Sequence, residues 1–267
     1  MLRLSVIALD VKYHASLLAY QAEVDAAPDY PGKVALAKRL FGLRNTKDNE
    51  TFRHVRETLS RMCSGARRCC YCEDNVADEV EHLRPKDLYP EQVFSWDNYV
   101  YACGSCNGPK NNKFAVIDAA GTLNELSRRR GAAVVPPLAG AYALIDPRTE
   151  NPLDYFDLGL SWPYHLLPKD GLDPVKKLRA EYTERVLVLN REVLLKSREN
   201  AYGSYRARLV EYLVKRSHDA PQAALDALRD GLRGMPHPTV WAEMKRSHAS
   251  FDELNALFSD APEALTW

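Results

Sequence analysis

A mainly α-helical chain with one small, metal-clamped module is predicted by three observations. Apolar residues recur at helical spacing through residues 11–66 and again from about 175 to 267. Between 67 and 117 that periodicity disappears, and turn residues take its place with five of the six cysteines. Four of those cysteines form two C-x-x-C pairs, Cys69/Cys72 and Cys103/Cys106. The chain therefore divides into an N-terminal helical region (1–66), a cysteine-rich module (67–117), a loop-rich connection (118–174) and a C-terminal helical region (175–267).

In the first region, "KVALAKRLFGL" carries Leu36, Leu40 and Leu43 at helical spacing. "NETFRHVRETLSRMC" does the same with Phe52, Val55, Leu59 and Met62, and Asn49 is placed to cap it. That helix should end near Gly65. Residues 118–174 are rich in Pro, Gly and Asp and read as loops with a few short elements; the basic run Arg128–Arg130 reads as solvated surface there. From 175 onward Leu178, Tyr182, Val186, Leu189 and Val193 form one stripe, and Tyr202, Tyr205, Leu209 and Tyr212 continue it. Asn190 reads as a turn that caps the next helix. Shorter helices follow in "PQAALDALRDGL", "PTVWAEMKRS" and "FDELNALF". The tyrosines read as core residues rather than base-stacking platforms.

Composition narrows the functional classes. Lys and Arg total 36 and are balanced by 36 Asp and Glu, so overall charge announces no polyanionic partner and any basic surface must be local. Residues 175–216 hold eleven Lys or Arg against five Glu, which is either a face for nucleic-acid backbone or a solvated helix surface. The opening "MLRLSVIALDVKYHASLLAY" is interrupted by Asp10, Lys12 and His14 and reads as no signal peptide. A cytosolic setting is expected, in which clustered cysteines point to metal or redox chemistry rather than disulfides.

Each C-x-x-C pair can form a tight knuckle with both thiolates facing one point, and two knuckles complete a tetrahedral Zn²⁺ shell. The assignment is Cys69, Cys72, Cys103 and Cys106 as structural zinc ligands, with Cys70 and Cys63 as bystanders. A shell of four thiolates leaves the zinc no open position, so it is structural. A thioredoxin-like site would need a βαβ pattern, which is missing.

The loop closed by that zinc contains Glu81-His82 and Asn98, and Asn107 follows its last cysteine. Through "CCYCEDNVADEVEHLRPKDLYP", "WDNYVYACGSCNGPKNNKF", "LIDPRTENPLDYF" and "RVLVLNREVLLKSR" the chain resembles the HNH endonuclease family. That resemblance implies a ββα-metal module bracketed by the cysteine pairs, with a hairpin carrying Glu81-His82 and a short helix starting near Asn107. It implies His82 as general base, Glu81 and Asn107 as ligands of a catalytic Mg²⁺ or Mn²⁺, and Asn98 as the brace of the loop that orients His82. The chemistry agrees: phosphodiester hydrolysis needs an activated water and a cation against the phosphate. Taken singly, each residue has an ordinary structural explanation; their order around two knuckles carries the assignment. Arg84, Lys86, Lys110 and Lys113 are the candidate phosphate contacts.

Within that family the chain looks most like the nuclease subunit of Septu-type anti-phage systems, which also occur with some retrons. The resemblance implies a nucleic-acid substrate, DNA first with RNA such as tRNA as the alternative, and an ATPase partner. No G-x-x-x-x-G-K-[ST] occurs in these residues, so such an ATPase would be a separate chain. The competing class is a zinc-stabilised module that binds nucleic acid or protein without cutting; a free redox protein is the third.

Overall fold

The computed structural model describes residues 1–128 and 131–267. About half of it is helical, as the periodicity predicts, and short sheets sit between the helical regions. Arg129 and Arg130 lie outside the described residues. Arg128 is not free surface: its guanidinium donates to the carbonyls of Asp87 and Val135 and to Tyr30 Oη.

Three helices open the chain, each started by a carboxylate or amide that accepts from an otherwise orphaned N–H. They are α1 (Val11–Asp25, capped by Asp10), α2 (Tyr30–Arg44, capped by Asp29) and α3 (Glu50–Met62, capped by Asn49). The α3 stripe of Phe52, Val55, Leu59 and Met62 is buried. The α2 stripe is displaced from expectation: Val34, Ala37, Leu40 and Phe41 face inward while Leu43 is exposed. Ala37 and Phe41 sit one turn apart, and the aromatic ring decides which face is covered.

The middle of the chain supplies β1 (Glu79–His82) and β2 (Tyr99–Ala102), an antiparallel pair that sets Glu81 opposite Val100 and His82 opposite Tyr99. Helix α4 (Gly104–Lys110) follows at once. It begins at Gly104, three residues before the expected start, because Cys103 already accepts from the N–H groups of Cys106 and Asn107. Strand β3 (Phe114–Ile117) lies between β4 (Leu123–Leu126) and β5 (Ala141–Tyr142), and β6 (Phe156–Leu158) pairs with β7 (Leu166–Pro168).

Helices α5 (Pro174–Leu187), α6 (Glu192–Ser217), α7 (Gln222–Arg233), α8 (Pro238–Ser247) and α9 (Asp252–Asp260) complete the chain. Tyr182, Tyr205 and Tyr212 are buried, as expected. Asn190 does not cap α6. Its side chain instead brackets Leu166, accepting from the N–H and donating to the carbonyl, and so anchors β7. The excess cations of 175–216 are largely consumed by ion pairs: Arg179–Glu150, Arg185–Glu125, Arg206–Glu253 and Arg216–Glu263. No helix among the described residues is long and apolar enough to cross a membrane.

Two hydrophobic cores meet at the β1–β2 hairpin. Val80, Tyr99 and Tyr101 join the core of α1–α3, whereas Val100 and Ala102 join the core of the cysteines, β3 and α5–α9. Alternation along each strand makes this possible, since neighbouring side chains leave opposite faces.

Candidate active site

Cys69, Cys72, Cys103 and Cys106 are buried, and their sulfurs all lie within 4.8 Å of one another. Zn–S bonds of about 2.3 Å arranged tetrahedrally require S···S separations of about 3.8 Å. Cys72 and Cys103 stand 3.8 Å apart. The four buried cysteines can thus hold a zinc ion, and Asn75 and Arg191 donate to Cys103 and Cys106 at 3.7 and 3.6 Å, orienting and neutralising the thiolates. The first knuckle is locked to α8: Glu73 accepts from Thr239 N and Oγ1 at 3.1 and 2.7 Å, and His237 Nε2 lies 3.1 Å from Asp74. Cys70 is buried beside the cage and outside it.

The cage fixes α4 against the hairpin, and alternation in β1 does the rest. Glu79 and Glu81 point toward α4; Val80 and His82 point toward α2 and α3. His82 sets its ring edge-on to Phe41 at 4.4 Å and to its cross-strand partner Tyr99 at 5.2 Å. Its Nε2 lies 2.9 Å from the Val93 carbonyl. A carbonyl can only accept, so Nε2 carries the proton and Nδ1 keeps its lone pair. Burial, reinforced by the nearby Lys86 ammonium, pushes His82 down to about 3. The ring is therefore neutral, with the Nδ1 lone pair available.

Glu81 is almost fully buried, and its Oε1 is ion-paired with the Lys110 ammonium. Lys110 also donates to the His82 carbonyl at 2.8 Å. Burial pushes the Glu81 carboxyl up, and the Lys110 charge opposes that shift. Lys110 is thus a buried counter-ion, not the phosphate contact its glycine- and asparagine-rich setting suggests. Asn107 donates from Nδ2 to Glu79 Oε2 at 2.7 Å, which leaves its Oδ1 unengaged. Sequence reasoning missed Glu79, although it shares a strand face with Glu81 by a two-residue step.

Asn98 is fully buried and does not line the cleft described below. Its Oδ1 accepts from Arg84 N at 2.8 Å, and its Nδ2 donates to the Arg84 and Gln92 carbonyls at 3.0 Å. It ties residues 84–92 together, including the segment that presents the Val93 carbonyl to His82. Arg84 stacks on Tyr142 and donates to Gln92, outside the cleft. Lys113 is exposed and also outside it. Of the four expected phosphate contacts only Lys86 lines the cleft, its ammonium 5.2 Å above the Phe41 ring.

That cleft, about 570 Å³, gathers Glu79, Glu81, His82 and Asn107. It also takes Lys47 and Arg56 from the N-terminal region, which sequence reasoning missed because nothing local connects them to the cysteine module. A hard divalent cation fits the donor set: Glu81 has its second oxygen without a protein partner among the described residues, Asn107 offers Oδ1, and the cleft has room for water.

No protein-family model matches the chain. A short stretch of 48 residues is 44% identical to the Septu protein PtuB of Bacillus thuringiensis, covering 16% of this chain and 19% of that protein. The chain thus shares a partial likeness with a Septu protein and carries a buried four-cysteine cage beside an acid- and histidine-lined cleft.

Proposed function

We propose that the protein is a metal-dependent endonuclease of HNH type, hydrolysing phosphodiester bonds in nucleic acid. One observation carries the reading: a neutral histidine with a free Nδ1, a carboxylate oxygen and an amide oxygen share one cleft beside a zinc-sized cage. Glu81 and Asn107 would hold Mg²⁺ or Mn²⁺, which supplies charge neutralisation for the phosphate and its leaving oxygen. His82 accepts the proton of the attacking water at Nδ1, the ring becomes an imidazolium whose Nε2–H bond to the Val93 carbonyl stabilises it, and the proton is then released to water. Phe41 and Tyr99 hold the ring in that orientation. Lys86 offers its ammonium to a phosphate oxygen at the rim. The Asn98 bonds keep the Val93 segment in register with His82.

The partial likeness to a Septu protein supports a place in anti-phage defence, with a separate ATPase chain as the partner that restrains or releases cleavage. DNA is the first substrate class and RNA such as tRNA the second.

The competing reading, a zinc-stabilised binding module without catalysis, draws on the Lys110 ammonium, which already neutralises Glu81. Incubation of plasmid DNA and of tRNA with Mg²⁺ or Mn²⁺ separates the two, with and without a candidate ATPase. Cleavage is expected from the wild type and at least about a hundredfold less from His82→Ala at equal zinc content. Equal cleavage by both proteins sinks the assignment of His82.

A further inference from the structure

The cleft has a second wall that the zinc module does not provide. It comes from the turn between α2 and α3, where Lys47 stands at the mouth and Arg56 reaches across from α3. Arg56 donates to Asn45 Oδ1 at 2.8 Å and to the Thr46 carbonyl at 2.5 Å. These bonds fix the turn and so fix where Lys47 stands. Among the described residues, Lys47, Arg56 and Lys86 have no carboxylate within ion-pairing distance. Nearby cations are used up: Lys38 pairs with Asp87, and Lys110 with Glu81. Three cations left unneutralised around an acidic floor form an arrangement that repels a second cation and suits a polyanion bridging to a metal.

The α4 wall carries Asn107 between two glycines. Gly104 and Gly108, one helical turn apart on α4, both line the cleft. A Cβ at Gly108 would meet nothing within 4 Å. A Cβ at Gly104 would lie 3.3 Å from Glu79 Oε1, so the side-chain space left open is at Gly108, a slot beside Asn107 in the same cleft as Lys47.

We propose that this slot seats a nucleic-acid backbone, with Lys47 contacting a phosphate next to the scissile one and Arg56 positioning the turn that carries it. The N-terminal helical region is then a substrate clamp as well as a scaffold. The inference rests on the nuclease reading for the kind of polymer, and the test separates the two. In a His82→Ala background, fluorescence anisotropy is measured with labelled single-stranded DNA, single-stranded RNA and duplex DNA at increasing KCl.

Lys47→Glu should weaken binding about five- to tenfold and reduce the salt slope by about one. Lys47→Arg should restore both. Gly108→Leu, which improves helix propensity and whose Cβ meets nothing within 4 Å, should weaken binding by a similar factor with the slope unchanged. Arg233→Glu, the same charge change on exposed α7, should stay within about twofold. Binding by Lys47→Glu within twofold of its parent, an equal loss in Arg233→Glu, or no binding by the parent overturns the clamp. If Lys47→Glu loses binding but the His82 protein never cuts with Mn²⁺, the clamp stands and the nuclease reading falls. If the His82 protein cuts while Lys47→Glu binds as its parent does, the nuclease reading stands and the clamp falls.

Discussion

Replacing Lys110 by Met tests how the cleft floor is balanced. Lys110 is fully buried and its ammonium has two partners, the Glu81 carboxylate and the His82 carbonyl. Methionine keeps the volume and removes the charge. Breaking a buried pair by deleting one partner costs about 3–5 kcal/mol, because the surviving charge is stranded without water. For a chain of this size that is a fall in Tm of roughly 10 °C. The loss should depend on pH. Burial already raises the Glu81 carboxyl, and without Lys110 it rises further, so the native state holds a proton that the unfolded state, near its ordinary value of about 4.3, has released. Stability of the variant relative to wild type is then greatest in acid and falls by up to about 1.4 kcal/mol per pH unit until the raised value is passed. Burial is the larger cause of the His82 shift and is the same in both proteins; the smaller Lys110 contribution to it is lost in the variant. Thermal unfolding followed by near-ultraviolet circular dichroism across this range measures it. Adding Glu81→Gln to Lys110→Met should recover most of the loss, since no charge is left stranded. A penalty below about 1 kcal/mol, or a double variant no more stable than Lys110→Met alone, would refute the buried-pair argument.

Three further outcomes are expected. Glu79→Ala should weaken Mn²⁺ binding about tenfold by freeing the Asn107 amide, with stability nearly unchanged because Glu79 is exposed; isothermal titration with wild-type affinity in the variant would count against that role. His82, held down to about 3, stays neutral throughout the working range, so single-turnover cleavage should show no acid limb centred near about 6.5 that vanishes with this residue. Its depressed value also means that the unfolded chain takes up a proton first, so His82 makes stability decline as pH falls below about 6.5. Cys103→Ser should abolish stoichiometric zinc in a chelator-dye assay and lower stability by at least about 3 kcal/mol, because a zinc held by the four buried cysteines would contribute folding energy; a variant that melts with the wild type would remove zinc from the fold.

What the sequence discloses depends on how local the cause is. The α3 stripe, its Asn49 cap and α7 to α9 follow from spacing within each segment, and the sequence predicts them. The cysteine cage is legible because C-x-x-C fixes two ligands at a time, leaving only the pairing of two knuckles to tertiary structure. Glu79 was within reach, since a strand that presents Glu81 to α4 must present Glu79 there too. Lys110 was not: beside Gly108 and Asn111 it looks solvated, and only the return of α4 over β1 buries it. Asn190 sits at a turn as expected, yet its amide is recruited by Leu166, twenty-four residues earlier in the chain. Lys47 and Arg56 reach the cleft because α2 and α3 pack on the hairpin, which no local pattern records.

The two-sided hairpin limits how this site can be transplanted. An excised piece spanning 67–117 would carry all four cage cysteines and both members of the Glu81–Lys110 pair. It would leave behind Phe41, against which the His82 ring rests, and the whole α2–α3 turn. The carboxylate would travel with the piece and the seat of the imidazole would not. A single-residue insertion within 79–82 would exchange the faces, sending a carboxylate into the aromatic core and the imidazole toward Lys110. The cysteine-rich module is therefore not a portable cassette; its histidine is completed by the helices that precede it.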